Sequence, residues 1–136
     1  MKVLVICADP DFRQILVDWL FMRGDDARVL NSESLTVFAL KQGQYDVVLF
    51  DLVTPSANSF TLISQMRRLC PKTHVIVISA VADICVAIEA ARVGAEACLV
   101  KPLEFPSLEY ELSRLERSRS LESSPEPPLR HELLKT

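Results

Sequence analysis

Four short apolar runs rich in β-branched residues constrain the fold of this chain more than any other feature of its sequence. They are Val3–Cys7, Val47–Phe50, Val75–Ile78 and Ala97–Val100. A weaker run, Ala27–Leu30, follows a turn at Gly24. The four strong runs do not alternate polar and apolar residues, which is typical of strands buried on both faces. They therefore predict a parallel sheet.

Segments with apolar residues at helical spacing separate these runs and follow the last of them. The apolar stripes of these segments begin at Phe12, Leu35, Leu62, Val81 and Leu108. The order strand–helix thus occurs five times, which predicts right-handed crossovers between neighbouring strands. We therefore expect an α/β fold with a five-stranded parallel sheet and five helices on both faces.

Composition argues against several classes of protein. The chain has 136 residues, of which 49% are hydrophobic, and a formal net charge of −3. We therefore expect one domain with a proper core and no direct binding of nucleic acid. Its three glycines cannot form the glycine-rich motifs that cradle phosphates in dinucleotide-binding and P-loop folds. The four cysteines have no C-x-x-C spacing, which argues against zinc and favours reduced thiols in a soluble cytoplasmic protein.

The composition changes after Arg117. Residues 118–136 contain four serines and three prolines, and the prolines break any continuing helix. We expect one domain over residues 1–117 and a flexible tail or linker over 118–136. Within that tail, Leu129–Leu134 has the pattern of a further short helix. No apolar run is long enough for a signal peptide or a membrane span, so we expect no association with a membrane.

Three chemically different side chains follow strands of the predicted sheet. Asp51, Ser79 and Lys101 each come directly after one of the strong apolar runs. Because ligands bind at the carboxyl ends of the strands in parallel α/β sheets, we expect these side chains to converge at one edge. A carboxylate can accept a phosphoryl group, and a hydroxyl and an ammonium group can hold the oxygens of that group.

At these positions the sequence resembles the response-regulator receiver domains of two-component signalling. The resemblance covers about residues 1–117 and rests on YDVVLFDLVTP at 45–55, VIVISA at 75–80 and GAEACLVKPL at 94–103. It implies the strand order 2-1-3-4-5. It also implies that a histidine kinase or phosphotransfer protein supplies phosphate to the domain. Signalling, and a possible homodimer, would use the face of the fourth helix, fifth strand and fifth helix.

The resemblance implies a role for each matching residue. Asp51 corresponds to the phosphoacceptor, and Ser79 and Lys101 correspond to the residues that contact the phosphate. Pro102 corresponds to a proline that usually follows a cis peptide bond. Asp51 and the backbone carbonyl of Val53 correspond to ligands of Mg²⁺. The family is a signalling family, so we do not expect the chain to be an enzyme.

The departures from the family pattern concern the metal and the switch. Cys7 and Ala8 stand where the family has two adjacent acidic residues, so we expect Mg²⁺ binding to be weakened. Asp9 is a further candidate ligand, although an aspartate before Pro10 favours capping of a helix. An Asp51–Lys101 pair would be neutral without a metal. Cys98 stands at the switch position, where the family usually has an aromatic residue.

Two readings therefore remain open within the family. The chain is either a receiver phosphorylated on Asp51 or a pseudo-receiver, an interaction module that works without phosphorylation.

Outside the family, Asp51–Thr54 partly matches the motif of haloacid-dehalogenase-like phosphatases, but Val53 replaces its second aspartate. A flavodoxin-like mononucleotide site would need a Ser/Thr/Gly-rich loop after the first strand, where this chain is acidic. We therefore favour the receiver family over the phosphatase and over the flavodoxin-like mononucleotide-binding protein.

Overall fold

The computed structural model describes residues 1–123, with side chains described to Arg119. Five parallel strands form one sheet in the order β2-β1-β3-β4-β5. Their bounds are β1 Lys2–Ile6, β2 Asp26–Leu30, β3 Val47–Leu52, β4 His74–Ser79 and β5 Ala97–Val100. The expected α/β fold and strand order are confirmed, and the strand ends differ from the ends of the apolar runs by at most two residues.

A helix follows each strand, as the repeated strand–helix order predicts. The helices are α1 Pro10–Arg23, α2 Thr36–Gln42, α3 Ala57–Leu69, α4 Ile84–Arg92 and α5 Phe105–Ser123, with a short 3-10 turn at Glu33–Leu35. Residues 1–104 form one compact unit, and α5 belongs to a second unit. Within α5 the predicted stripe of Leu108, Leu112 and Leu115 is buried.

The central strand β3 explains why the strong runs lack polar alternation. All six of its residues are buried, because it lies between β1 and β4 and is covered on both faces. One face of the sheet contributes to a core that also contains residues from three helices. These helix residues are Leu40 of α2, Ile63 and Met66 of α3, and Ala90 of α4. Burial of this apolar surface is the main term that stabilises the sheet.

Strand β2 lies at one edge of the sheet, and its position explains its weaker sequence signal. Only β1 pairs with it among the described strands. Its central residues Arg28 and Val29 are exposed, whereas every residue of β1 after Lys2 is buried. An edge strand does not need an uninterrupted apolar sequence, so the run Ala27–Leu30 can contain an arginine.

Local signals in the sequence set the starts of the helices. The side chain of Asp9 accepts the backbone N–H groups of Asp11 and Phe12 at the start of α1. Ser56 and Asp83 cap α3 and α4 in the same way. These side chains satisfy backbone donors that have no partner within the helix.

The boundary expected at Arg117 falls inside a helix. Helix α5 continues to Ser123, so the first six residues of the expected tail are helical. The segment Leu129–Leu134 lies outside the described residues. Within residues 1–123, no helix combines the length and apolar character that a membrane span requires.

Gly94 allows the turn between α4 and β5 to pass close to α3. Its φ of +111° is in the left-handed region, and a Cβ atom there would lie 2.7 Å from Cγ of Arg67. We expect Gly94→Ala to lower the free energy of unfolding by about 2 kcal/mol, through backbone strain and this contact. Urea titration would measure the change.

Gly24 provides the matched control for this substitution. It also has a positive φ, of +90°, but a Cβ atom there would meet nothing within 4 Å. We therefore expect Gly24→Ala to cost only the backbone term, about 1 kcal/mol. Equal losses in the two variants would show that the contact with Arg67 contributes nothing.

Candidate functional site

Asp51 lies near the carboxyl end of β3, opposite Ile78 of β4. Its side chain is only 1% exposed. A carboxylate that is removed from water in this way costs several kcal/mol unless charges or hydrogen-bond donors compensate for it. The groups that approach the two oxygens of Asp51 therefore define the site.

Lys101 supplies the compensating charge. It follows β5, and its backbone N–H donates to the carbonyl oxygen of Ser79 at 2.8 Å. Its Nζ lies 2.8 Å from Oδ1 of Asp51, which is an ion-pair distance. The angles between the two groups are not those of a hydrogen bond. Oδ1 is thus paired by charge without accepting an aligned hydrogen bond. The peptide bond between Lys101 and Pro102 is cis.

The ring of Phe12 forms a second contact with the same ammonium group. Nζ of Lys101 lies 4.5 Å from the centre of this ring, which belongs to the first turn of α1. A cation at this distance from an aromatic ring is attracted by its quadrupole. Lys101 therefore connects β3 with α1, and both contacts hold its ammonium group at the edge of the sheet.

Cys7 approaches the other oxygen of Asp51. Its Sγ lies 3.2 Å from Oδ2, to which the thiol donates, and 3.4 Å from the carbonyl oxygen of Asp9. Burial raises the pKa of the Cys7 thiol to about 11, and the hydrogen bond and negative charge of Asp51 act in the same direction. The thiol is therefore protonated at neutral pH and acts as a donor.

The oxygen donors of the chain do not fit a directly coordinated Mg²⁺ ion. Such an ion prefers near-octahedral coordination by oxygen. Cys7 and Ala8 offer no side-chain oxygen, and Asp9 caps α1. Among the described residues, no group of three or more Asp, Glu, His or Cys side chains could hold a metal ion. Of the expected metal ligands, Asp51 has both oxygens engaged by Lys101 and Cys7, and Val53, whose backbone carbonyl is the other expected ligand, directly follows β3.

Two of the expected switch residues make contacts away from Asp51. The hydroxyl group of Ser79 is buried and exchanges hydrogen bonds with the backbone of Val81, at 3.0 and 3.1 Å. Cys98 is half-buried, packs against the core on the α3 side of the sheet, and has a pKa raised by burial. The structure thus brings together Asp51 and Lys101, but not the side chains of Ser79 and Cys98.

The contacts of Phe12 and Cys7 are the parts of the site that sequence reasoning missed. The sequence places Phe12 only in the apolar stripe of α1, and it places Cys7 only among the reduced thiols and where the family has an acidic residue. The signal for Cys7 was its place in the family pattern, since the acidic residue that it replaces would lie beside the phosphoacceptor. No spacing in the sequence indicates the contact between Phe12 and Lys101.

Comparisons of the sequence with known proteins point to one family. The family model described as response regulator receiver domain matches residues 3–113. The DNA-binding transcriptional regulator NtrC of Azospirillum brasilense is 29% identical over 123 residues, which are 90% of this chain and 25% of that protein. The response regulator protein PilR of Pseudomonas aeruginosa is 27% identical over 98% of this chain and 30% of its own length. The chain spans about a quarter of the length of the first of these relatives.

Solved structures give the same result for the fold. The receiver domain of the Francisella response regulator 1452 has a TM-score of 0.78 and 25% identity, and the match covers 87% of this chain and 98% of that domain. A two-component response regulator from Clostridium difficile has a TM-score of 0.79 and 19% identity, with 86% of this chain and 96% of that chain covered. The second likeness concerns the fold alone.

The environments of the cysteines predict a clear order of thiol reactivity. Cys85 is exposed, whereas Cys7 is buried, protonated and hydrogen-bonded to Asp51. At pH 8 we expect a maleimide to modify Cys85 first and Cys7 roughly 100-fold more slowly, because the thiolate is the reacting form. Peptide mass spectrometry at timed intervals would measure both rates.

The same experiment in denaturant provides the control, because unfolding exposes all four thiols. The difference between Cys7 and Cys85 should then disappear. Rapid modification of Cys7 in the folded protein would contradict the contact with Asp51.

Proposed function

This chain belongs to the response regulator receiver domain family, and we propose that residues 1–117 accept a phosphoryl group on Asp51. A cytoplasmic histidine kinase or phosphotransfer protein would supply the group. The observation that carries the proposal is the pairing of Asp51 with Lys101 at the carboxyl edge of the sheet. This pairing holds an anionic nucleophile and a cation at one point, which phosphoryl transfer requires.

The transfer step uses groups that this chain contains. A carboxylate oxygen of Asp51 forms a bond to phosphorus while the bond between phosphorus and the donor's leaving group breaks. With a phosphohistidine donor, the leaving imidazole keeps the electron pair of the broken bond and takes up a proton from water. The ammonium group of Lys101 offsets the negative charge of the incoming oxygens. The Asp51 carboxylate becomes an acyl phosphate.

The pseudo-receiver reading also has a specific observation in its favour. Both oxygens of Asp51 are engaged in the resting site, Oδ1 with Lys101 and Oδ2 with the thiol of Cys7. Phosphorylation must displace the thiol, or proceed at Oδ1 with a shift of Lys101. Either requirement slows the reaction relative to an open carboxylate. A module that kept this closed site would present one constant surface to its partners.

The partner surface that we propose includes α4 and β5. Ile84 and Ile88 lie one helical turn apart on α4 and are 75% and 61% exposed. Val100 at the end of β5 is also exposed, next to Lys101. Exposed apolar side chains of this size, grouped on neighbouring elements, are typical of protein interaction sites. We propose that signalling uses this surface under both readings.

Intact-mass spectrometry after incubation with acetyl phosphate tests the proposed phosphorylation. We expect a gain of one phosphoryl group on the wild-type chain and none on Asp51→Asn. Lys101→Ala should reduce the initial rate by roughly tenfold or more, because it removes the cation beside the acceptor. Hydroxylamine should release the phosphoryl group as inorganic phosphate and leave a hydroxamate on Asp51, since it attacks the acyl carbon of acyl phosphates.

Lys72→Ala is the matched control, because it also removes a lysine but at an exposed position before β4, at the opposite edge of the sheet. It should leave the rate unchanged. A folded wild-type chain that gains no mass from acetyl phosphate or from phosphohistidine donors would establish the pseudo-receiver reading.

The role of Cys7 and Ala8 is tested by restoring the acidic residues. We expect the double variant Cys7→Asp, Ala8→Asp to be less stable than wild type without metal, because a second carboxylate then lies beside Asp51. Millimolar Mg²⁺ should raise its melting temperature by several degrees and leave that of the wild type nearly unchanged. Differential scanning fluorimetry in Mg²⁺ and in EDTA would show this difference.

Cys7→Ser, Ala8→Ser is the matched control, since it changes the same positions without adding charge. An equal Mg²⁺-dependent shift in the wild type would show that its own oxygen donors already hold the ion.

A further inference from the structure

The outer edge of β2 is one of the two edges of the sheet that no described strand covers, the other being that of β5. We propose that a second copy of this chain binds there through its own β2, antiparallel and centred on Ala27, so that two sheets join into one. The proposal does not rest on phosphorylation of Asp51. It concerns the edge of the sheet opposite β5, away from the α4 surface.

The backbone of β2 has the alternation that such a pairing needs. The N–H of Asp26 donates to the carbonyl oxygen of Met1 at 2.9 Å, and the carbonyl oxygen of Leu30 accepts from the N–H of Cys7 at 3.0 Å. Residues 26, 28 and 30 therefore direct their backbone groups towards β1. Because successive residues of a strand alternate, Ala27 and Val29 direct theirs outward. Two Ala27 residues placed opposite each other would exchange two N–H···O bonds.

The charges of Asp26 and Arg28 favour the register centred on Ala27 over the other registers that an edge strand allows. Asp26 and Arg28 flank Ala27 on the same face of the strand. Nε of Arg28 lies 3.8 Å from Oδ1 of Asp26, and the two side chains are 63% and 62% exposed. In an antiparallel pair centred on Ala27, Asp26 of each copy lies opposite Arg28 of the other. Both cross-strand pairs are then attractive. A pair centred on Val29 would lose this match.

Apolar side chains beside the strand add to the proposed contact. Phe21 and Met22 are strongly exposed at the end of α1 that leads into β2. Antiparallel pairing brings this end of one copy to the Val29 end of the other, where Val29 is also exposed. The strand has five residues, so the association is of the weak, concentration-dependent kind. Charged side chains on an edge strand can also prevent two sheets from pairing. A chain that remains monomeric is therefore the outcome that would contradict the proposal.

A charge-exchange experiment tests the proposal on the full chain. Sedimentation equilibrium of the wild type up to about 1 mM should show a monomer–dimer equilibrium. Asp26→Arg and Arg28→Asp should each weaken dimerisation roughly tenfold, because each places like charges opposite one another. The double variant D26R/R28D restores opposite charges and should recover most of the wild-type affinity.

Mixing the two single variants gives the sharpest result. Neither should dimerise well alone. The D26R strand carries positive charge at both flanking positions and the R28D strand carries negative charge at both, so the mixture should form a heterodimer. Glu104→Arg and Lys72→Asp, at exposed positions away from β2, make the same changes in net charge. They should dimerise as the wild type does, and mixing them should not raise the affinity. Circular dichroism confirms that each variant is folded.

A backbone variant separates pairing from simple attraction of charges. Ala27→Pro removes an N–H that points away from β1, so it should leave the sheet intact and abolish the dimer. A wild type that remains monomeric throughout would overturn the proposal. So would single charge variants that dimerise as the wild type does, or a dimer that Ile88→Glu on α4 abolishes while the β2 variants leave it intact.

Discussion

The negative charge of Asp51, placed where water hardly reaches, is the constraint on which the rest of the site depends. Every residue of β3 is buried, so the strand that carries the carboxylate cannot turn it towards solvent. A buried charge of this kind is tolerated only with a partner of opposite sign. Lys101 is that partner, and its position requires that β5 lie next to β4 and end at the same edge. The topology and the electrostatics of the site therefore support each other.

The contacts around Asp51 form a locally neutral group. One carboxylate faces one ammonium group, and the remaining donor is an uncharged thiol. A site with three carboxylates would carry an excess of negative charge and would need a divalent cation to balance it. The replacement of two acidic positions by Cys7 and Ala8 removes that excess. The resting site is consequently stable in the arrangement that its own side chains supply.

The sequence predicted the fold well because short, uninterrupted apolar runs are typical of strands that are buried on both faces of a parallel sheet. It also predicted that Asp51 and Lys101 would meet, since both follow parallel strands that end at one edge. It could not predict the direction of the Ser79 hydroxyl group, which follows from a local turn with Val81. The contact of Phe12 with Lys101 depends on how α1 packs beside the sheet. The boundary expected at Arg117 falls inside α5 because the composition of the sequence changes before the helix does.

Helix α4 contributes few fully buried side chains to the core. Within Ile84–Arg92 only Ala90 is fully buried and Val86 is partly buried against the core, whereas the two isoleucines are exposed. Burial of apolar area is what fixes a helix in one position on a sheet. A shift or rotation of α4 therefore loses little of the free energy gained by burying apolar side chains. Alternative positions of α4 consequently lie close together in free energy. We expect α4 to be among the first elements to show conformational exchange.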